Sequence, residues 1–435
     1  MRGSRMAGIP ASKGTVVLAV AALAAVAACS SSSKGGAANS PSTAPQSASA
    51  SGQPQAKTAD SHTYTLGLLT DLSGLAASAE KSTPQGVKAG VGLANANGYH
   101  IKYVVADAQS SPSGALQAAH KLVERDHVAA VIAVSGLTFA ASSYLTSKGV
   151  PVIGAATDGP EWITSRNMFS VFGFQDFHSV QTTTGDFLKL VGANNLAAVG
   201  YSVPQSSNLA AKNSAASAQH AGIKVGYLNA QFPLGSTDVG PLTLAIKNAK
   251  SDSLVATIEE NTSFALITSL RQQGVNLKAP ILSVGYGGDL ADGGPGVQQA
   301  AQGSYFTLSY EPVEMQTPAT KRLVSALKTY AGVTALPSLN EYIGYVAIDA
   351  FVQAVKKTGS NPSPSALINA LLTMTQYTAD GLFGDHSVDF SMSTRGKFAG
   401  AENCVWYTQY EGTEFHLVKG ADPLCGSTIA GQKVS

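Results

Sequence analysis

From Thr63 onward the chain alternates short apolar, β-branched runs with amphipathic helical windows, and this alternation narrows the fold more than any single motif. The runs Tyr64–Thr70, Ile101–Asp107, Val128–Ser135, Val152–Ala155 and Met168–Phe172 read as strands. Between them, Thr83–Asn97, Ser113–Asp126 and Phe139–Lys148 read as helices. Val87, Val91 and Ala94 share one helical face, as do Leu116, Ala119 and Val123. Strand and helix at this spacing predict βαβ crossovers and a parallel sheet.

The pattern then begins again. Phe177–Val191, Leu209–Ala221, Val239–Ala249 and Ser263–Gln273 read as helices, and Leu196–Tyr201, Lys224–Ala230, Ser253–Glu259, Pro280–Val284 and Ser304–Ser309 as strands. Two α/β cores are written one after the other, each the size of a doubly wound domain. The tail holds the helices Thr317–Tyr330, Asn340–Lys357 and Ser363–Met374, then a β-rich end with Val405–Tyr410 and Glu414–Val418. Helices without matching strands must pack on an existing sheet. The expected class is therefore α/β, with two doubly wound parallel-sheet lobes joined by a three-crossing hinge. Lobe 1 is expected to take residues 63–175 and 313–378, and lobe 2 residues 176–312 and 379–435.

The first sixty-odd residues read as an export and anchoring segment. Arg2, Arg5 and Lys13 precede an uncharged run, Val16 to Ala28. As a helix it would reach roughly 20 Å, short of the ~30 Å hydrocarbon core, so residues 1–28 are expected to be a signal peptide rather than a span. The run ends Val26-Ala27-Ala28-Cys29, which resembles the bacterial lipobox and implies a diacylated Cys29. Residues 29–62 then carry the lipidated Cys and a Ser/Ala/Pro linker too poor in apolar side chains to fold. Cys404 and Cys425 remain. An even pair in an exported chain suggests a disulfide, with two free thiols as the alternative.

Four segments carry a resemblance to a known family. They are Tyr64-Thr-Leu-Gly-Leu-Leu-Thr-Asp-Leu-Ser-Gly74, Val104-Val-Ala-Asp107 with Pro112 after it, Val150-Pro-Val-Ile-Gly-Ala-Ala-Thr157, and Glu341-Tyr-Ile-Gly-Tyr-Val-Ala-Ile-Asp-Ala350. Their order and spacing resemble the leucine/isoleucine/valine-binding proteins, which are type I periplasmic binding proteins. The resemblance spans about Tyr64 to Val418. It implies two lobes that close on a ligand, and delivery of that ligand to a membrane permease. Some relatives sense ligands rather than transport them.

Ligands of open α/β sheets bind beyond the carboxyl ends of strands. In the first lobe that places Ser73, Ser135, Gly136, Ala155, Ala156 and Thr157 as candidate ligand-binding residues. Their small size admits a ligand, and their hydroxyls and amides can hold a carboxylate without an arginine. Ser, Thr and Gly serve equally as ordinary caps and turns. In the second lobe the candidates are Tyr201, Gln205, Glu259 and Asp289, with Glu260 as a further ammonium partner. Trp162 and Tyr286 are candidate pocket walls, with core packing as their alternative. Tyr342 and Tyr345 read as packing residues. The chain departs from the family where relatives place an aromatic ring, since Ser206 stands there. It departs again where relatives binding α-amino acids supply a carboxylate, since Gly287 stands there with Asp289 two residues on.

The formal net charge of +1 offers no field for nucleic acid. No GxSxG, HExxH or Walker A motif occurs, and the His residues are scattered without metal-ligand spacing, so no enzyme activity, cofactor or metal is expected. The sequence thus predicts an extracytoplasmic solute-binding lipoprotein on the cell membrane. Its expected partners are an amino-acid-like small molecule, an ABC permease and the membrane through the lipid; it is expected to be a monomer. The alternatives are a ligand-sensing receptor module of the same fold and, more remotely, an exported enzyme.

Overall fold

The structure is a computed structural model that describes residues 62–155 and 159–435. The expected signal peptide, Cys29 and the linker lie outside the described residues, apart from His62, as do Ala156 and Thr157. The described residues all fall in one compact unit.

The first sheet holds β1 (Thr63–Thr70), β2 (His100–Asp107), β3 (Ala130–Val134), β4 (Val152–Gly154) and β5 (Met168–Ser170). All are parallel, in the order β2-β1-β3-β4-β5. Alternation along each strand feeds two apolar layers. Leu66 and Leu68 of β1 and Ile132 of β3 pack toward the helix Thr83–Ala96. Leu69, Val131 and Ala133 pack on the other side with Ala115 and Ala119 of the helix Pro112–His120 and Leu145 of Phe139–Ser147.

A short strand, β6 (Ser179–Gln181), leads into the second sheet. This sheet holds β7 (Asn195–Tyr201), β8 (Lys224–Phe232), β9 (Ser253–Thr257), β10 (Ala279–Leu282) and β11 (Tyr305–Leu308) in the parallel order β8-β7-β9-β10-β11. Both sheets therefore repeat the same 2-1-3-4-5 order. From the chain's end, β12 (Cys404–Glu411) and β13 (Glu414–Leu417) extend the second sheet antiparallel. The strand β14 (Leu424–Cys425) pairs with β12, and β15 (Thr428–Lys433) pairs with β6. Cys404 and Cys425 form a disulfide across β12 and β14.

Between β11 and β12 the chain returns to the first sheet. The helix Leu339–Thr358 lies against Thr83–Ala96 at very close range. A Cβ on Gly86 would come within 2.1 Å of the Glu341 carbonyl oxygen, and one on Gly344 within 2.7 Å of the Thr83 carbonyl oxygen. This helix starts on a full capping box. The Glu341 N–H donates to Ser338 Oγ at 3.3 Å, and the Ser338 N–H donates to Glu341 Oε2 at 2.9 Å.

Some expected elements differ. The window Phe177–Val191 contains β6 before its helix, which spans only Thr183–Leu190, because the C-terminal β15 recruits Ser179–Gln181 into a pairing that no local signal announces. The windows Ser113–Asp126 and Thr317–Tyr330 each end in a π-helical turn, Lys121–Arg125 and Leu327–Ala331. Trp162 belongs to the apolar core of the first lobe and lines neither cavity of the cleft. Tyr286 is likewise a core residue, its hydroxyl donating to Glu314 Oε2 at 2.6 Å.

The segments that link the two sheets touch one another. The Glu311 N–H donates to the Leu382 carbonyl at 2.8 Å, and the Gly173 α-carbon faces the backbone of Gly400. Gly173 holds φ +97° there, a conformation and a clearance that a side chain would not tolerate. Arg395 anchors this region. It is buried, stacks over Phe174 at 4.4 Å, and donates to the carbonyls of Trp162 and Ser165 at 3.2 and 2.7 Å. Burial lowers its pKa to about 10, well inside the charged range at neutral pH. Losing it would strand the buried carbonyls of Trp162 and Phe390, to which it also donates, at about 1–3 kcal/mol each. Arg395→Ala is therefore expected to lower the unfolding free energy by roughly 3 kcal/mol, measured by urea denaturation; a loss under about 0.5 kcal/mol would contradict this role for the guanidinium.

Candidate functional site

In each sheet, β1 and β3 or β7 and β9 lie side by side although their connecting crossovers leave to different sides. Loops diverge at such switch points and open a crevice. The two crevices face a shared cleft. One cavity there has a volume of about 340 Å³ and is lined by residues that follow strand ends in both lobes, among them Asp71, Gly136, Phe172, Tyr201, Glu259 and Ser283. A second, of about 410 Å³, shares Phe172, Gln175, Thr257 and Glu259 with the first and reaches on to Glu80 and Asp289.

The first-lobe wall is organised by two carboxylates. Asp71, fully buried just beyond β1, accepts from the Ser110 N–H at 2.6 Å and from Ser135 Oγ at 2.8 Å. Asp107, at the end of β2, accepts from Ser73 Oγ at 2.6 Å and from the Leu72, Ser73 and Gln109 N–H groups at 3.0, 3.3 and 2.8 Å. These hydrogen bonds hold the Asp107 carboxyl below its ordinary pKa. Gly74 takes φ +87° and presses on Ser110, so the loop after β1 and the loop after β2 form one hydrogen-bonded piece.

The second-lobe wall is tied similarly. Ser207 Oγ accepts from the Tyr201 N–H at 2.8 Å and donates to the Thr257 carbonyl. The Tyr201 hydroxyl donates to Thr262 Oγ1 at 3.3 Å and accepts from the Glu259 N–H at 3.2 Å. The helix Gln205–His220 begins at this wall, where Ser206 and Ser207 line the cavity.

Carboxylates dominate the charge of the cleft. Burial and the nearby charges of Asp71 and Glu260 push Glu259 up to about 7. Burial, Asp71 and Glu259 raise Glu80. Burial with Glu260, Glu341 and Asp292 raises Asp289. Neither Glu259 nor Asp289 has a side-chain hydrogen-bond partner among the described residues, although Asp289 is only 4% exposed. Glu260 is buried beside them and raised to about 7; one of its oxygens lacks a partner, and Lys81, itself paired with Asp292 at 3.0 Å, is the nearby cation.

Of the residues marked in the sequence, the structure brings Gly136, Tyr201, Glu259 and Asp289 to the cavity walls. Five others do not line these cavities. Ser135 spends its hydroxyl on Asp71 and on the Leu137 N–H, and Ser73 spends its own on Asp107. Ala155 and Trp162 are buried in apolar core, and Gln205 points outward, exposed. Sequence reasoning missed Asp71 as a wall residue although its motif was in view. It also missed Phe172, Gln175 and Phe177, reading the first and last only as the end of a strand and the start of a helix and leaving Gln175 between them.

The raised carboxyls set a pH dependence. A group that binds its proton more tightly folded than unfolded adds stability below its unfolded pKa and loses it as pH rises through the folded value. For Glu259 that window runs from 4.5 to about 7. The ligand-free protein should therefore lose stability between these pH values, and Glu259→Gln should raise its unfolding free energy at pH 8 by roughly 1–3 kcal/mol. Denaturant titrations across this range check it; a variant no more stable than the parent would contradict the strain assigned to Glu259.

Comparison with known proteins follows the same outline. The sequence profile described as periplasmic binding protein matches residues 63–414. Among solved structures, a leucine-binding protein from Thermotoga maritima is similar at TM-score 0.67 and 17% identity, covering 82% of this chain and 98% of its own. A branched-chain amino acid transporter substrate-binding protein from Streptococcus pneumoniae, in complex with isoleucine, aligns at TM-score 0.65 and 18% identity, covering 86% and 100%. A solute-binding protein of an ABC transporter from R. palustris, in complex with benzoate, aligns at TM-score 0.69 and 16% identity, covering 86% and 99%. Among curated proteins, none matches.

Proposed function

The chain belongs to the periplasmic binding protein family, and from that premise we propose that it captures a small amino-acid-like solute between its lobes and hands it to an ABC importer. The observation that carries this reading is the cleft itself: loops at the carboxyl ends of both sheets face one cavity system of metabolite size. Solved structures of this fold include transporter proteins whose names specify leucine, isoleucine and benzoate, which supports a small solute without choosing among them. Capture by two lobes makes closure a population shift, since a ligand touching both walls binds the closed form better.

In this reading residues 63–175 and 313–378 form one lobe, and residues 176–312 and 379–435 the other. The sequence Val26-Ala27-Ala28-Cys29 and the linker after it make the protein a lipoprotein tethered on the extracytoplasmic face. Among the described residues, no helix is long and apolar enough to cross a membrane. The protein acts as a monomer and performs no chemistry on its ligand.

Gly136 supplies a direct test. A Cβ there would meet no atom within 4 Å, so a larger side chain would enter the cavity rather than the core. Screened by thermal shift against a metabolite panel of amino acids, amines, amides and aromatic acids, the protein should be stabilised by at least one compound. At a ligand concentration 100-fold above Kd the gain is about 2.7 kcal/mol. Gly136→Phe should abolish that gain and leave the melting temperature of the ligand-free protein within a few degrees. A ligand that stabilises the variant as well as the parent would move the site elsewhere.

A further inference from the structure

The charges lining the cleft are of one sign. Among the described residues, the two cavities are lined by Asp71, Glu80, Glu259 and Asp289, and by no lysine, arginine or histidine. Two of these carboxylates are already engaged: Asp71 by Ser110 and Ser135, and Glu80 by the Asp71 N–H at 3.1 Å. The other two are not. Glu259 faces both cavities from the end of the second sheet, and Asp289 faces the larger one from the helix Gly288–Asp292. Asp289 is the second and independent sign of a ligand. It is 96% buried on the cavity wall and accepts no side-chain hydrogen bond from the described residues. A buried carboxylate left without donors is strongly unfavourable unless something in the cavity supplies them.

Resting on the solute-binding reading, we infer that the cleft takes a small ligand bearing two cationic nitrogen groups, a diamine or a dibasic amino acid, with Glu259 and Asp289 each receiving one of them. An ammonium is three donors and a positive charge, which is what two carboxylates without partners among the described residues lack; the nearby Lys81 is paired with Asp292. A monoanion such as an aromatic acid meets four carboxylates there and no counter-charge. A neutral amino acid satisfies one carboxylate and leaves the other buried and bare. The α-carboxylate of a dibasic amino acid finds donors at the start of the helix Gln205–His220, where Ser206 and Ser207 line the first cavity.

The surroundings of the two acids add a linkage. From the first lobe they face Asp71, Glu80 and Lys81; from the second, Glu260 and Asp292; and from the returning helix, Glu341. Acids outnumber the single lysine, so the empty site retains protons near neutrality that a dication displaces. Affinity for a dication therefore increases from pH 6 to pH 8, and protons are released on binding.

The experiment is calorimetric titration of the purified protein with L-lysine, L-ornithine, 1,4-diaminobutane, L-leucine and benzoate, in two buffers of different ionisation enthalpy. The dibasic compounds should bind at least tenfold more tightly than L-leucine, with proton release. Glu259→Gln and Asp289→Asn should each weaken them at least tenfold. Lysine and ornithine binding without diaminobutane identifies the amino-acid form, and the reverse identifies the diamine. Preference for L-leucine or benzoate overturns the inference and leaves the solute-binding reading intact. Binding of none of the five overturns the inference too, and the wider thermal-shift panel then decides whether the solute-binding reading falls with it.

Discussion

The carboxylate of Asp71 joins three strand ends at one point. It leaves β1, takes the Ser110 N–H from the loop after β2, and takes the Ser135 hydroxyl from the loop after β3. Parallel sheets gather such ends on one edge, and each end carries backbone groups that need partners. One fully buried acid satisfies them together and makes the first-lobe wall a rigid piece. Its charge then helps to hold Glu259 across the cleft, and Glu80 beside it in the first lobe, above their ordinary pKa. The same residue thus stabilises the scaffold and destabilises the charged state of the acids around it.

This division of labour recurs. Carboxylates that serve the fold are saturated with donors, as Asp107 is by Ser73 and three N–H groups. Carboxylates of the cavity, Glu259 and Asp289, lack them. A chain that keeps acids without partners in a cleft gives up stability there, which is characteristic of a site that a ligand completes. The second lobe prepares its wall without using those acids: Tyr201, Ser207 and Thr262 bond to one another and to the ends of β7 and β9.

The strands were legible because parallel strands buried on both faces are continuous apolar runs, and their observed limits fall within two or three residues of the expected ones. The return of the tail to the first sheet followed from helices that had no strands of their own. β6 was not legible, since its partner β15 lies some 250 residues away in sequence. The site was legible only as a location. Sequence could say that strand ends would face a ligand, but not which small polar residues would be consumed by their own loops. Ser73 and Ser135 look like Gly136 on paper, and the neighbouring acids Asp107 and Asp71 make the difference. Trp162 followed the same logic of position and was claimed by the core instead. Phe172 was read as the end of a strand that in fact stops at Ser170, and Gln175 lies between elements, where no local pattern marks a wall residue.

Everything functional here requires the two walls to move toward each other around a solute. Spin labels at Ser113 and Thr237, exposed positions that follow β2 and β8 on opposite sides of the cleft, report that movement as a distance distribution. Saturation with a stabilising ligand should shorten and narrow the distribution relative to the empty protein. A distribution unchanged at saturation would contradict capture between the lobes.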